Sequence, residues 1–157
     1  MTKLFIASIL LGGMCASNLP ADIIGVDNRY PAPGSSFAGS ASFDEFRAEL
    51  SAGGNTLVPL SSFLAANLAG LDAIVLNQPY NGFGATPLTV QEIADIQSFV
   101  TGNFVAFTDT SMFGDTGAGS DRDISFGDNR QLLANSVDFI GQKSGSALFF
   151  GEGASGA

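Results

Sequence analysis

The chain has 157 residues, of which 45% are hydrophobic and 13% charged, a composition typical of one folded domain and not of a disordered or coiled-coil chain. Its formal net charge is -9, with only 6 Lys and Arg residues. A polyanion of this kind repels phosphate, so the charge argues against nucleic acid and against anionic membrane surfaces as partners.

The first residues have the layout of a secretory signal peptide. Lys3 is followed by the apolar run LFIASILL and then by small residues. This run is shorter than the roughly 20 residues that a membrane helix needs. We therefore expect residues 1–21 to be removed on export, leaving a secreted or periplasmic protein with no membrane span. Cys15, the only cysteine, lies in this segment, so no disulfide is expected in the mature chain.

Residues 22–150 alternate between predicted strands and helices, beginning with a short apolar strand at residues 22–27. Apolar residues at helical spacing predict a helix over residues 42–51. Ser42 and Glu45 have the spacing of a capping box, which predicts the start of this helix. A glycine pair follows and is predicted to end it.

The middle of the chain contains the clearest strand and the clearest helix. Residues 72–77 (DAIVLN) form a continuous apolar run with polar ends, which is typical of a buried parallel strand. Residues 56–60 are predicted to be an edge strand or a strand end, because Pro59 cannot donate a ladder hydrogen bond. After a turn-rich loop, Thr89 and Glu92 predict a capping box for an amphipathic helix.

The other predicted elements are a short helix at 61–68, a strand at 103–108, a helix that begins near residue 129 and a last strand at 146–150. Strands that alternate with helices over short connections predict an α/β domain at residues 22–150, with helices on both faces of a parallel sheet. Residues 151–157 are predicted to be a flexible Gly-rich tail. Their GEGASG run matches a dinucleotide-binding pattern, but the helix that such a site needs does not follow it.

Within residues 71–109, the segments LDAIVLNQP and LTVQEIADIQSFVTGNFVAFTD resemble the class I glutamine amidotransferase-like fold. More narrowly, they are similar to its non-catalytic versions in uncharacterised exported bacterial proteins. The shared features are an apolar strand, a threonine-capped helix, a turn and a strand that runs into Asp109. The resemblance implies a three-layer sandwich with a mainly parallel, flavodoxin-like sheet of about five strands. A likeness in core and caps informs fold more than function.

The residues that an active amidotransferase of this class needs are missing. Its chemistry requires a nucleophilic Cys on a strand-to-helix elbow and a downstream His that activates it. The chain has no His, and residues 107–111 (FTDTS), in the matching region, offer no Cys. The sequence therefore leans against an enzyme, because Cys-His catalysis, Ser-His-Asp catalysis and His-ligated metal sites are all excluded.

Polar side chains follow three of the predicted strands. In open parallel sheets, ligands bind beyond the carboxyl ends of the strands, so these side chains are the predicted ligand-binding residues. They are Asp27, Asn28, Asn77, Gln78, Thr108, Asp109 and Ser111. Helix caps and turns favour the same residue types, which is the alternative explanation of the pattern.

An acidic, Gly-rich loop precedes the predicted helix at residue 129. Its candidate metal ligands are Asp115, Asp121, Asp123 and Asp128. Calcium takes roughly 6–8 oxygen ligands and is abundant outside cells, so it is the one cofactor that the sequence suggests. The spacing is not that of an EF-hand, and Arg122 and Arg130 could pair with the same carboxylates in a solvated loop.

Three classes of function stay open at this point. The first is a non-catalytic exported module that binds a small molecule, or an extracellular protein or glycan. The second is a calcium-stabilised extracellular structural or matrix protein, which a calcium-binding isotherm would separate from the first. The third is a hydrolase that uses carboxylates such as Asp27 and Asp109, which a pH-rate profile would reveal.

Overall fold

The computed structural model describes residues 21–29, 38–78, 87–107, 124–125 and 127–151. Their strands are β1 (Ile23–Asp27), β2 (Thr56–Leu60), β3 (Ala73–Gln78), β4 (Phe104–Phe107) and β5 (Ser146–Gly151). The strands form one five-stranded sheet in the order β2-β1-β3-β5-β4, and every neighbouring pair is parallel. The predicted strands are confirmed, with their ends shifted by at most one residue.

Helices pack on both faces of the sheet. They are α1 (Asp44–Ser51), α2 (Ala65–Leu68), α3 (Val90–Phe99) and α4 (Asn129–Ile140). The cores show that α1 and α4 cover one face, whereas α2 and α3 cover the other. The result is the predicted three-layer, flavodoxin-like α/β sandwich. Its order differs from the usual 2-1-3-4-5 of that fold in one respect, because β5 lies between β3 and β4.

The central strand explains why its sequence is continuously apolar. Ile74 faces the core under α2 and α3, while Val75 faces the core under α1 and α4, and both side chains are fully buried. On the neighbouring strand, Gly25 is required by close packing. A Cβ at this position would lie 2.6 Å from Leu60 Cδ1 and 2.7 Å from Leu71 Cδ1.

The capping box predicted for α3 is confirmed, and the one predicted for α1 is wrong. The Thr89 hydroxyl accepts a hydrogen bond from the Glu92 amide at 3.1 Å, and the Glu92 carboxylate accepts one from the Thr89 amide at 2.9 Å. Before α1, a 3₁₀ turn spans Ala41–Phe43, so Ser42 lies inside a helical turn instead of preceding it. Ser40 takes the capping role, accepting from the Ser42 amide at 3.1 Å.

The helix predicted at residues 61–68 is shorter than expected, because α2 is a single turn. Carboxylates of α3 bind the amides that would begin the longer helix. The Phe63 amide donates to Glu92 Oε1 at 3.0 Å, and the Ala65 amide donates to Asp95 Oδ2 at 2.8 Å. Glu92 is buried in this contact, whereas Val90, in the same first turn of α3, is exposed.

Candidate functional site

Four of the predicted ligand-binding residues lie at one edge of the sheet, on neighbouring strands. Asp27 ends β1 and Asn28 follows it, while Asn77 and Gln78 are the last residues of β3. The two strands pair in parallel, with Val26 beside Val75. The chain leaves β1 for β2 on one side and reaches β3 on the other, so the strand order reverses here. In open α/β sheets such a reversal creates the crevice in which ligands bind.

The other predicted ligand-binding residues follow β4 and lie outside the described residues. They are Thr108, Asp109 and Ser111. The described end of β4 is at the far edge of the sheet, and β5 separates it from β3. At a strand spacing of about 4.8 Å, the carboxyl end of β4 is therefore roughly 10 Å from that of β3. The strand order therefore separates the end of β4 from the neighbouring ends of β1 and β3.

The predicted calcium ligands fall almost entirely outside the described part of the chain. Asp128 is exposed and precedes α4 without a side-chain capping hydrogen bond. The other three, Asp115, Asp121 and Asp123, are not among the described residues. In the ranges that the structure does describe, no three acidic, Cys or His side chains are grouped so that they could hold a metal ion. None of the described helices is long and apolar enough to cross a membrane.

A buried ion pair between Arg29 and Asp27 lies at the carboxyl end of β1. Arg29 Nε donates to Asp27 Oδ1 at 3.0 Å, and Arg29 Nη2 donates to Asp27 Oδ2 at 2.7 Å. The Arg29 amide also donates to Oδ1 at 3.0 Å. The side chain of Asp27 is 0% exposed and that of Arg29 is 4% exposed. The pair is thus bidentate and withdrawn from water, which is the strong form of this interaction.

Arg29 is held from its other side by an aromatic ring. Its Cζ lies 5.1 Å from the centroid of the fully buried Phe63 ring, within the range of a cation–π interaction. The Phe63 amide in turn binds the Glu92 carboxylate near the start of α3. One chain of contacts therefore joins the end of β1, the connection after β2 and the start of α3.

Glu92 is ionised at neutral pH. Burial alone would raise the pKa of its carboxyl group. The amides of Thr89 and Phe63, the Thr89 hydroxyl and the positive charge of Arg29 outweigh burial, and the pKa is lowered. A helix N-terminus normally attracts an anion, and in α3 the chain's own carboxylate already takes that position.

The sequence predicts only part of this site. It predicts Asp27 as a ligand-binding residue and Glu92 as a helix cap, but it does not predict the roles of Arg29 and Phe63. Arg29 carried a usable signal, since it follows Asp27 by two residues in a chain with only 6 basic residues. No feature of the sequence distinguishes Phe63 from the other Phe residues, since the chain contains 14 of them and the position of the Phe63 ring depends on long-range packing.

The chain matches no protein-family model, no curated protein and no solved structure. The resemblance to non-catalytic amidotransferase-like domains therefore stays a prediction. A parallel sheet of this kind is shared by proteins of unrelated function, so function has to be argued from the site.

Proposed function

We propose that the protein is a non-catalytic exported module that binds a small ligand, or an exposed group of an extracellular partner, beyond the carboxyl ends of β1 and β3. The observation that carries the proposal is the buried Asp27–Arg29 pair. Withdrawing two ionised groups from water costs several kcal/mol, and apolar side chains of similar size often stabilise a fold as well or better. In this sheet the cost falls at the reversal of strand order, where a ligand crevice is expected.

The engagement of the carboxylates supports binding over hydrolysis. Asp27 uses both oxygens on Arg29, and Glu92 uses both on the Phe63 amide and on Thr89. A general acid or base must reach a substrate proton with its own carboxyl group. Here each carboxylate instead fixes the position of a neighbouring protein group, so both serve as parts of the framework.

The charges indicate which ligands fit. Asp27 and Glu92 are negative and Arg29 is positive, so the three groups together contribute one negative charge. The anion position at the start of α3 is filled by Glu92 itself. Phosphate and carboxylate groups would therefore be repelled, and a neutral polar ligand such as a sugar, or a ligand with an ammonium group, is favoured.

The export half of the proposal rests on the sequence of residues 1–21. N-terminal sequencing of protein recovered from the medium or periplasm should return a chain that begins near residue 18 or 22. A chain that still begins with Met1 would contradict export by this route.

The binding half is tested by titrating the ¹⁵N-labelled chain with glucose, ethylammonium and inorganic phosphate, while amide chemical shifts are recorded. We expect glucose or ethylammonium to shift the amides of Asn28 and Gln78 in a saturable manner, and phosphate to leave them unchanged. Arg29→Lys keeps the charge but cannot form the bidentate contact, so it should weaken this binding about tenfold or more.

Arg47→Lys is the matched control, because it makes the same change in the exposed Arg47–Asp44 pair on α1 and should leave binding as it is. The proposal is overturned if phosphate binds at this edge. It is also overturned if none of the three probes shifts the amides of Asn28 and Gln78.

A further inference from the structure

The outer edge of β4 is open in the part of the chain that the structure describes. β4 pairs with β5 in parallel, and the Ala147 amide donates to the Asn103 carbonyl at 2.9 Å. Alternate residues of a parallel strand turn their N–H and C=O groups toward the same neighbour. Phe104 and Ala106 therefore turn theirs away from β5. Within the described ranges, neither residue makes a hydrogen bond through these outward groups.

The opposite edge of the sheet is blunted. The Thr56 amide donates to the Asp22 carbonyl at 2.8 Å, so on β2 the outward residues are Leu57 and Pro59. Pro59 has no N–H group to offer to another strand, which is a common protection of edge strands. β4 has no such device, since residues 101–108 (TGNFVAFT) contain neither proline nor a charged residue.

Exposed apolar side chains flank the open edge. Phe104 is 56% exposed on β4, and on α4 the exposed apolar residues are Leu132 and Phe139. These two are seven residues apart and so share one side of α4. Arg130, on the other side, pairs with carboxylates of α1. The Asn103 side chain donates to the Phe139 carbonyl at 2.6 Å, which places the C-terminal end of α4 next to the start of β4.

We propose that this edge is a homodimer interface, in which β4 pairs antiparallel with β4 of a second copy across a two-fold axis at Val105. In this register the outward N–H and C=O groups of Phe104 meet those of Ala106 in the second copy, and the reverse holds by symmetry. The Phe104 ring then lies beside the small side chain of Ala106, so the strand is complementary to itself in size. Two five-stranded sheets become one continuous sheet.

A second copy suits this edge better than an unrelated strand. The net charge of -9 on each chain opposes self-association in general, but residues 101–108 are uncharged, so no like charges face each other across the paired strands. A strand pair alone buries less than the roughly 1,200–2,000 Å² of a stable interface. The two-fold axis also brings the apolar side of α4, with Leu132 and Phe139, toward its counterpart, which adds buried apolar area.

The test is the molecular mass of the full chain in solution, measured by sedimentation equilibrium over a range of concentrations. We expect a concentration-dependent dimer of the 16.1 kDa chain, or of its processed form. Ala106→Pro removes an outward N–H and leaves pairing with β5 intact, so it should weaken the dimer at least tenfold. Ala106→Lys, at the same exposed position, should do the same through charge. Thr56→Lys, an exposed position on β2, is the matched control and should not change the mass.

Amide hydrogen exchange on the unaltered chain gives a second readout that does not depend on how the variants fold. Exchange at Phe104 and Ala106 should slow as concentration rises, and exchange at Leu57 should not. A chain that stays monomeric at millimolar concentration overturns the proposal, even if the edge then captures an unrelated strand. A dimer that persists in both folded Ala106 variants also overturns it, because the interface must then lie elsewhere.

Discussion

Two aspartate–arginine pairs in this molecule share their chemistry and differ in their surroundings. In the pair at the end of β1, the Arg29 and Asp27 side chains are 4% and 0% exposed. In the pair on α1, Arg47 and Asp44 are 21% and 68% exposed. Water screens the second pair and not the first, so loss of one partner has very different consequences in the two places.

Asp27→Ala is therefore expected to lower the free energy of unfolding by about 3–5 kcal/mol, because it leaves the Arg29 guanidinium buried without its carboxylate. Asp44→Ala is the matched control and should cost about 0–1 kcal/mol. Urea titration of both variants measures the difference. A loss below about 1 kcal/mol for Asp27→Ala would show that Arg29 reaches water in the folded state.

A second residue-scale prediction concerns pH. Burial raises the pKa of the Asp22 carboxyl group, and the neighbouring charge of Asp72 raises it further. The folded state thus disfavours ionised Asp22. Stability is lowered above the folded pKa, and this loss disappears below the unfolded value of about 3.9. Asp22→Asn should raise the urea midpoint at pH 7 and leave it unchanged near pH 3.

Asp138→Asn, at an exposed position on α4, is the control and should shift the midpoint at neither pH. The urea midpoint of each variant must be compared with that of the unaltered chain at the same pH, because ionisation of Glu92 changes stability in the opposite direction to ionisation of Asp22. Its lowered pKa adds stability above about pH 4.3, which is lost as the pH falls through the folded pKa. An Asp22→Asn midpoint that is lower at pH 7 would contradict the unfavourable ionisation of Asp22.

At the scale of the elements, the beginnings of α1 and α3 differ in how they are capped. Thr89 and Glu92 cap α3 reciprocally, whereas Ser42, which has the same spacing to Glu45, caps nothing. Thr89→Ala should lower the free energy of unfolding by about 0.5–2 kcal/mol, and Ser42→Ala, the matched control, by much less. Urea titration compares the two variants. Equal losses of stability would mean that the capping hydrogen bond of Thr89 does not stabilise α3.

The elements also show what sequence can and cannot predict. Strands such as β3 and the cap of α3 depend on residues close together in the chain, and both were predicted. The shortening of α2 depends on Glu92 and Asp95, about 30 residues away, so no local sequence pattern predicts it. The site divides in the same way, since Asp27 follows from the fold class and the contact of Arg29 with Phe63 follows only from tertiary packing.

For the whole molecule, the net charge of -9 and the four aspartates predicted as calcium ligands lead to a prediction about cations. If these aspartates share an ion, calcium should raise the melting temperature more than an equal concentration of magnesium, since binding to the folded state adds to general screening. Asp121→Asn combined with Asp123→Asn should abolish that difference and leave the magnesium response. Equal shifts with the two ions would mean screening alone.

The position of β5 between β3 and β4 has a consequence for the order in which the molecule can be completed. β1, β2 and β3 are neighbours and leave the ribosome first, so they can pair while synthesis continues. β4 is made next and has no neighbour in the sheet until β5 has also been made. The sheet is therefore completed late, when β5 inserts between β3 and β4. Pairing between strands that lie far apart in the sequence is slow, so the sheet is completed only after β5 has been synthesised.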